Sequence, residues 1–312
     1  MSEFIHALQT GSRFPATRSR KVAAGIKVAF LFSVVCNSPK TLTFFPERTN
    51  DAKTLKIGSW VKDNLLLIDR GFFRHETFSL IGKYDGSFIS RVKTTSKPKI
   101  KEFNVDIPEH MCEQCIGLDI YKTMEILKGK NIDATVKLQY RSKNSKGKYC
   151  FTPFELRFIA RYNPDTQEYH TYLTNLSQEF PADAVADLYT LRWDIELIFR
   201  ELKSEYLTGR LVTTNDSVME TFLRIPMLTL MVSRRLFATL KKMIAVAEVE
   251  RYRNTKWCRV FAENARRILR TYIKEKNGSA KEDAWGDILT DLIEGTRSTH
   301  ANRHYLTKGK YF

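Results

Sequence analysis

The chain of 312 residues has little cysteine, few acids relative to its bases, and no long apolar run. Its five cysteines are an odd number in a long chain, which argues against a disulfide framework and for reduced thiols. The longest apolar run, Val28 to Cys36, is too short to cross a bilayer and lies too far inside the chain to be a signal peptide. We therefore expect a cytoplasmic protein without a membrane partner.

The shortage of acids leaves a large positive charge. Lys and Arg number 51 against 35 Asp and Glu, which gives a formal net charge of +16. A surplus of this size favours a polyanionic partner, and nucleic acid is the default choice. A membrane surface is the competing partner, but the sequence has no isolated basic amphipathic helix of the interfacial kind. A protein that is merely basic is the plain alternative.

A single Cys-x-x-Cys pair, Cys112 and Cys115, raises the question of zinc. A structural zinc site needs four ligands, and no second Cys pair or His pair follows at the usual spacing. The two cysteines are therefore either free core thiols or half of a site that the fold completes from distant residues. The candidates for that completion are His110, Cys150, His170 and Cys258.

The first third of the chain alternates strand and helix patterns. The β-branched and aromatic segment 25–35 predicts a strand, and a turn returns it to a hairpin partner at 41–45. The continuous apolar run 64–68 predicts a strand buried on both faces. A helical pattern over 72–81 and a strand pattern over 87–92 follow, so this order predicts a mixed α/β sheet.

The remaining chain divides into a strand-rich and a helical region. Three strand patterns, at 135–140, 154–159 and 168–173, predict a β-rich insertion. From Pro181 to the end the pattern is helical, with expected breaks at Pro226 and Gly278. We thus predict four parts. A core in two pieces spans 1–93 and 181–235, an insertion spans 94–180, and a basic helical C-terminal region spans 236–312.

A carboxylate follows the apolar run 64–68 directly. Asp69 lies at the expected carboxyl end of that strand, where open sheets bind their ligands. A helical pattern begins soon afterwards, at Phe72. Asp69 is therefore either a metal ligand or the residue that caps the next helix.

A second candidate site lies on the helix predicted over 183–207. At about 100° per residue, four polar residues fall within about 60° of one another and form one stripe: Tyr189, Arg192, Glu196 and Lys203. A separate apolar stripe predicts the buried face: Leu188, Leu191, Ile195, Ile198, Phe199 and Leu202. The periodicity also fits an ordinary amphipathic helix with a surface ion pair between Arg192 and Glu196.

Carboxylates such as Asp69 and Glu196 suit Mg²⁺, which takes one or two of them together with water and phosphate oxygens. Two such ions can activate an attacking hydroxyl and stabilise the leaving oxygen in one in-line displacement. Three acids are the usual complement for two ions, and the sequence offers two good candidates.

Together these residues resemble the insertion-sequence DDE transposases, in the branch with a Tyr-x2-Arg-x3-Glu-x6-Lys signature. The signature runs from Tyr189 to Lys203, with each spacing intact, as YTLRWDIELIFRELK. The second acid of that family ends a buried strand and is often followed by a Gly and an aromatic, which is similar to LLLIDRGFF at 65–73. The resemblance covers about residues 15–210.

The resemblance implies an RNase H-like mixed α/β sheet with a β-rich insertion and a helical C-terminal region. It implies that Asp69 and Glu196 are catalytic ligands of Mg²⁺, or of Mn²⁺, and that Tyr189, Arg192 and Lys203 hold the DNA backbone. The implied function is metal-dependent DNA cleavage and strand transfer of an insertion sequence by a cut-and-paste route. The implied partner is double-stranded DNA, both transposon ends and target, bound by a homodimer at the prokaryotic nucleoid.

A basic turn is predicted between the strands at 135–140 and 154–159. Its charges are Arg141, Lys143, Lys146 and Lys148. They are either phosphate contacts or the solvated tip of a hairpin, and the charge of the chain leaves both open.

The chain departs from the family at its first acid, which the family carries on its first strand, before a segment resembling 14–18. Glu3 is the sole acid in residues 1–14, a stretch that we expect to be too short and polar for a buried strand. We therefore expect that strand to be missing and the chain to be truncated at its N-terminus. This leaves two alternatives: an inactive DNA-binding remnant or transposition inhibitor, and an RNase H-like nuclease without strand transfer.

Overall fold

The computed structural model describes residues 2–7, 24–35, 38–143, 147–204, 210–211, 215–244, 249, 251–252, 254–278 and 284–297. The strands in chain order are β1 (Ser2–Ala7), β2 (Ala24–Ser33), β3 (Ser38–Pro46), β4 (Leu65–Ile68), β5 (Ser87–Arg91), β6 (Lys99–Phe103), β7 (Ile132–Lys143), β8 (Tyr149–Asn163), β9 (Glu168–Thr174) and β10 (Arg210–Leu211). The helices are α1 (Asp51–Thr54), α2 (His75–Lys83), α3 (Glu109–Cys115), α4 (Ile120–Ile126), α5 (Ala182–Thr190), α6 (Trp193–Ser204), α7 (Asp216–Lys242), α8 (Asn254–Lys276) and α9 (Ala284–Thr296).

The chain folds into two compact units. The first contains Thr49–Glu196 with Met1–Ser2, and the second contains Glu3–Arg48 with Leu197–Phe312. The mixed α/β class predicted from the sequence, consistent with an RNase H-like domain and a helical region, is confirmed. Among the helices that the structure describes, none is long and apolar enough to cross a membrane.

The first unit is built on a six-stranded sheet in the order β4-β5-β9-β8-β7-β6. Strands β4 and β5 are parallel, and the other neighbours are antiparallel. The three strand patterns expected in residues 94–180 lie within β7, β8 and β9. These strands continue the sheet that β4 and β5 begin.

Alternation along the strands builds the core of this unit. On β7 the side chains of Ala134, Val136 and Leu138 are buried, whereas Lys137 and Gln139 between and beyond them are exposed. This period of two is expected of a strand with one face on a core. The helix α2 covers the same core, where Phe78 stacks on Phe88 of β5 with ring centroids 4.4 Å apart.

The strand β4 agrees with its prediction in the packing of its faces. Leu66 and Ile68 belong to one core cluster and Leu67 packs against another, although in the described sheet β4 is the edge strand and pairs with β5. Leu66 and Ile68 are buried, whereas Leu65 is exposed. An apolar run cannot tell an edge strand from a central one, because pairing order is set by distant parts of the chain.

The second unit contains a four-stranded sheet in the order β10-β1-β2-β3, with β2 and β3 as the predicted hairpin. Residues 1–14, which we expect to be too short and polar for a buried strand, contain the strand β1, Ser2–Ala7, which lies between β10 and β2 and pairs in parallel with β10. Neighbours on both sides satisfy the backbone groups of a short strand, and its hydropathy alone does not reveal such neighbours.

Helices α7, α8 and α9 supply a separate core in the second unit. Trp257 is buried there, stacks on Phe237 at 4.8 Å, and donates its indole N–H to Ser233. The break expected at Pro226 is wrong, because Pro226 lies inside α7. A proline removes one helical hydrogen bond, but the buried side chains of α7 hold the helix through packing. The expected break at Gly278 is confirmed, since α8 ends at Lys276 and Gly278 has a φ of 67°.

The single helix predicted over 183–207 is also wrong. It is two helices, α5 and α6, separated by Leu191 and Arg192. The N–H groups of these two residues bond to carbonyls three residues back, those of Leu188 and Tyr189, so the chain tightens into a turn before α6 begins. The turn resets the helical phase, and the polar stripe from Tyr189 to Lys203 is therefore not continuous.

Candidate active site

Asp69 stands immediately after β4. Its carboxylate accepts a hydrogen bond from the N–H of Gly71 at 3.2 Å and so caps the short 3-10 helix Arg70–Phe72. The capping role that the sequence left open is thus present. The carboxylate also lies 3.2 Å from Nη1 of Arg192, and its side chain keeps 29% of its surface exposed.

Glu196 lies in the first turn of α6. Its Oε1 accepts from Nη2 of Arg192 at 2.8 Å, which is the i, i+4 pair of the plain amphipathic-helix interpretation. Negative charge near a helix N-terminus is stabilised by the helix dipole. Asp69 and Glu196, 127 positions apart in the sequence, therefore contact the two terminal nitrogens of one guanidinium.

Arg192 occupies the turn between α5 and α6, and its side chain is largely buried, with 17% of its surface exposed. Nη1 is buried without a hydrogen-bond partner, even though it is within ion-pair distance of Asp69. The two observations differ because a hydrogen bond also requires a suitable angle. We interpret the contact as an electrostatic one with poor directional geometry.

Tyr189 lies in the core next to this ion pair, and the guanidinium carbon of Arg192 stands over its ring, 5.8 Å from the centroid. It is buried beside Val185 and Ala186, packs edge-to-face on Tyr172 at 5.4 Å, and donates its hydroxyl to the carbonyl of Ile68 at 3.3 Å. Burial raises the pKa of the Tyr189 phenol, so the hydroxyl stays a donor near neutral pH. Tyr189 is thus buried in the core and is not part of an exposed polar stripe, although its ring stays beside Arg192.

A further carboxylate, that of Asp51, lies beside Gly71. A Cβ added to Gly71 would stand 3.0 Å from Oδ2 of Asp51 and 3.5 Å from Oδ2 of Asp69. Asn50, not Asp51, caps α1, through a hydrogen bond from the N–H of Ala52. The proximity of Asp51 had no signal in the sequence, since it depends on how α1 meets the end of β4.

Comparison with known proteins identifies the family at this point. A family model described as the transposase DDE domain matches residues 10–230. The chain belongs to the DDE transposases. It is 26% identical over 259 residues to the transposase for insertion sequence element IS1151 of Clostridium perfringens, a match that covers 74% of this chain and 54% of that protein.

A second relative is y4zB of Sinorhizobium fredii, named as a candidate transposase. It is 24% identical over 198 residues, which cover 62% of this chain and 49% of y4zB. The chain spans about half the length of the curated relatives that it matches. The resemblance to insertion-sequence DDE transposases is confirmed at this level, whereas its placement in the branch with the four-residue signature stays a prediction.

DDE transposase domains use divalent metals, so the donor set can be tested for fit. Carboxylate oxygens are the ligands that Mg²⁺ prefers, and Asp69 and Glu196 present theirs to a single cation, with part of each side chain open to solvent. The Arg192 guanidinium stands in for that cation in this arrangement. Within the described ranges, no three His, Cys, Asp or Glu side chains form a group that could hold a metal ion. Asp69 and Glu196 therefore present a donor set that one divalent ion can accept.

The zinc alternative involved a different part of this transposase. Cys112 and Cys115 lie on α3, where Cys112 donates its thiol to the carbonyl of Ile107 and Cys115 is buried. Burial raises the pKa of the Cys115 thiol, which disfavours the thiolate that zinc requires.

The expected DNA contacts of this transposase lie at several places. Lys203 is exposed in the last turn of α6. At the β7–β8 hairpin Arg141 and Lys148 are exposed, and the guanidinium of Arg141 lies 3.7 Å from the ring centroid of Tyr149. The side chain of Lys143 and all of Lys146 lie outside the described part of the chain, as do the side chain of Glu3 and the segment 14–18.

Proposed function

We propose that this chain is the catalytic region of an insertion-sequence transposase. It hydrolyses a phosphodiester at the transposon end, and the freed 3′-hydroxyl then attacks a target phosphodiester and displaces a target 3′-hydroxyl, in a cut-and-paste route with Asp69 and Glu196 as ligands of Mg²⁺ or Mn²⁺. The observation that carries this proposal is the convergence of two carboxylates, 127 positions apart, on one guanidinium. Family membership supports the class of reaction.

The residues of the chain have separate tasks in this scheme. A bound divalent cation supplies Lewis acidity at the phosphodiester and a stronger nucleophile at neutral pH. Asp69 is fixed by the end of β4 and by the N–H of Gly71, and Glu196 is fixed by α6. Arg192 and Lys203 are charged donors suited to phosphate oxygens. Tyr189 holds the end of β4 through the carbonyl of Ile68 and so positions the neighbouring Asp69.

Double-stranded DNA, as transposon ends and target, is the proposed partner. The net charge of +16 and the exposed Arg141 and Lys148 at the β7–β8 hairpin support this choice. We further propose a homodimer in the DNA complex, acting on nucleoid DNA in the cytoplasm. The predicted division into a split core, an insertion at 94–180 and a C-terminal region at 236–312 is retained as part of this proposal.

The test of the metal ligands uses two substitutions that keep shape and remove charge. Asp69→Asn and Glu196→Gln should each abolish Mn²⁺-dependent nicking of supercoiled plasmid, because each removes a metal ligand, while DNA binding in gel shifts persists. Asp194→Asn is the matched control, since Asp194 lies in the same first turn of α6. Full nicking by both ligand variants would overturn the assignment.

A strand-transfer assay separates the transposase from its rivals. Duplexes with pre-cleaved 3′-hydroxyl ends should give joined products with a target plasmid, and such products exclude a nuclease that only hydrolyses. Nicking without joined products would support the nuclease. DNA binding with neither reaction would support the catalytically inactive remnant or inhibitor.

A further inference from the structure

One guanidinium occupies the place where the proposed metal ion would find its ligands. Nη1 of Arg192 lies 3.2 Å from Oδ1 of Asp69, and Nη2 lies 2.8 Å from Oε1 of Glu196. Both carboxylates thus share the one positive charge of this side chain, and each of the three side chains is at least two-thirds buried. Carboxylates brought together without a cation would repel one another, so this bridge stabilises their convergence.

The bridge and a metal ion compete for the same oxygens. A divalent cation at these carboxylates places two more positive charges a few Å from the guanidinium, and at such distances like charges repel appreciably in a partly buried site. The contact to Asp69 is the weaker half of the bridge, because the buried Nη1 has no hydrogen-bond partner. Moving the Arg192 guanidinium away from the carboxylates therefore costs less free energy than moving a guanidinium whose N–H groups are all hydrogen-bonded.

The position of Arg192 allows such an exchange. It stands in the turn between α5 and α6, where its own N–H is held by the carbonyl of Tyr189 at 3.1 Å. The backbone is thereby fixed while the side chain is long and part of it reaches solvent. The guanidinium can leave the carboxylates by rotating its side chain, without melting either helix.

We propose that Arg192 is a positioning residue that holds Asp69 and Glu196 together in the metal-free protein and exchanges places with the divalent cation when it binds. The displaced guanidinium then becomes available to a DNA phosphate. This inference rests on the proposed function of the site. Metal binding and DNA binding are consequently coupled through one side chain, and the coupling is reciprocal.

Calorimetric titration of the DNA-free protein with Mn²⁺ tests the exchange. Arg192→Gln removes the competing cation, so it should bind Mn²⁺ more tightly than the wild type, by about fivefold or more. Arg192→Lys keeps the charge but cannot bridge both carboxylates, and should tighten binding by less. Arg161→Gln is the matched control, because Arg161 also pairs with two acids of the first unit, Asp183 and Asp187, and it should leave the Mn²⁺ affinity unchanged.

Gel shifts with Ca²⁺ test the coupling. Adding Ca²⁺ should strengthen the DNA binding of the wild type and of Arg161→Gln, and should strengthen that of Arg192→Gln much less. Unchanged or weaker Mn²⁺ binding by both Arg192 variants would overturn the exchange, as would equal Ca²⁺ enhancement in Arg192→Gln. Thermal unfolding shows whether each variant is folded. If Arg192→Gln does not fold, the results for Arg192→Lys alone decide between exchange and no exchange.

The failure of the underlying site would look different. Asp69→Asn and Glu196→Gln should each weaken Mn²⁺ binding at least tenfold. If both bind Mn²⁺ as the wild type does, the metal site itself is misplaced and the proposed function fails with it. If both lose Mn²⁺ but the Arg192 variants do not gain it, the site stands and only the exchange is wrong.

Discussion

Arg157 joins three segments of the first unit through one buried guanidinium. Its Nε and Nη2 donate to the carboxylate of Asp133 on β7, and its Nη1 donates to the carbonyls of Ser177 and Phe180 beyond β9. Both charged side chains are more than nine-tenths buried. A pair of this kind adds little net stability, but removing one partner leaves a charge without compensation.

We predict that Arg157→Met destabilises the chain by about 3–5 kcal/mol, because Asp133 is left buried and unpaired. Urea unfolding monitored by circular dichroism measures the loss. The double variant Arg157→Met with Asp133→Leu should recover much of it. The control is Lys101→Met, which removes an exposed pair with Glu155 and should change stability little. An equal loss of unfolding free energy in Arg157→Met and Lys101→Met would show that the buried pair contributes no more than the exposed one.

His170 connects stability to pH. Burial, and then the charge of Arg91, lowers the pKa of His170 below its ordinary value of 6.5, and Arg91 donates to its Nδ1 at 3.2 Å. Glu168 opposes the shift and Arg161 adds to it. The unfolded chain therefore binds a proton at a higher pH than the folded chain does.

The sign of the pH dependence follows from that lowered pKa. The contribution of His170 is fully present above pH 6.5 and is lost as the pH falls through the lower folded pKa. We predict that the free energy of unfolding decreases over this interval and that His170→Asn makes the dependence shallower. Denaturant titrations at half-unit pH steps measure both curves. Identical slopes for the variant and the wild type would assign the pH dependence to other groups.

At the scale of elements, the junction between α2 and β5 is packed without spare room. A Cβ at Gly86 would stand 2.7 Å from the carbonyl oxygen and 2.9 Å from Cγ2 of Val61. Asp85, just before it, has a φ of 55°, so the chain reverses there in a conformation that few residues adopt. Strand β5, and through it β4 with Asp69, is positioned by this junction.

We predict that Gly86→Ala destabilises the chain by about 1–3 kcal/mol, because the backbone of Val61 must move to accept the methyl group. Gly82→Ala is the control four residues earlier: it lies within α2, and its nearest neighbour would be 4.0 Å away. That control should stabilise the helix by about 0.5–1 kcal/mol. Thermal unfolding of the pair measures the difference, and a neutral Gly86→Ala would mean that the junction relaxes freely.

For the whole molecule, charge is the property most open to test. The net charge of +16 predicts general attraction to DNA, whereas phosphate binding by particular residues predicts local effects. Changing the hairpin-tip residues Arg141, Lys143, Lys146 and Lys148 to Gln should lower DNA affinity and reduce the salt slope by about one unit for each phosphate that these side chains neutralise. Fluorescence anisotropy over a salt series measures the slope.

A second set of four substitutions separates location from net charge. Four exposed lysines elsewhere in the first unit can be changed to Gln with the same reduction of charge: Lys53, Lys56, Lys62 and Lys83. This control should reduce the salt slope less than the hairpin-tip variant does. Equal slopes for the two variants would assign binding to the overall charge, with the hairpin tip as an ordinary solvated turn.

The sequence by itself determined most elements and the family. The hairpin of β2 and β3 and the strand before Asp69 follow from side chains close together in the chain. Local propensity and periodicity depend on such neighbours, and the sequence displays them directly. The prediction that Asp69 and Glu196 belong to one site came from the resemblance to a family, because no local rule connects residues 127 positions apart.

The tertiary structure alone decided which groups meet. The phase break after Thr190 put Tyr189 into the core and Arg192 between two carboxylates, and the end of β4 brought Asp51 towards Asp69. The strands β9, β8, β7 and β6 extend the sheet from β5, and β1 lies between β10 and β2. No single segment of the sequence predicts this strand order. Such contacts depend on strand order and on the direction in which each helix leaves its turn. Strand order and helix direction are set by the packing of the whole unit, since every buried face must be covered and every buried backbone group hydrogen-bonded in the same structure.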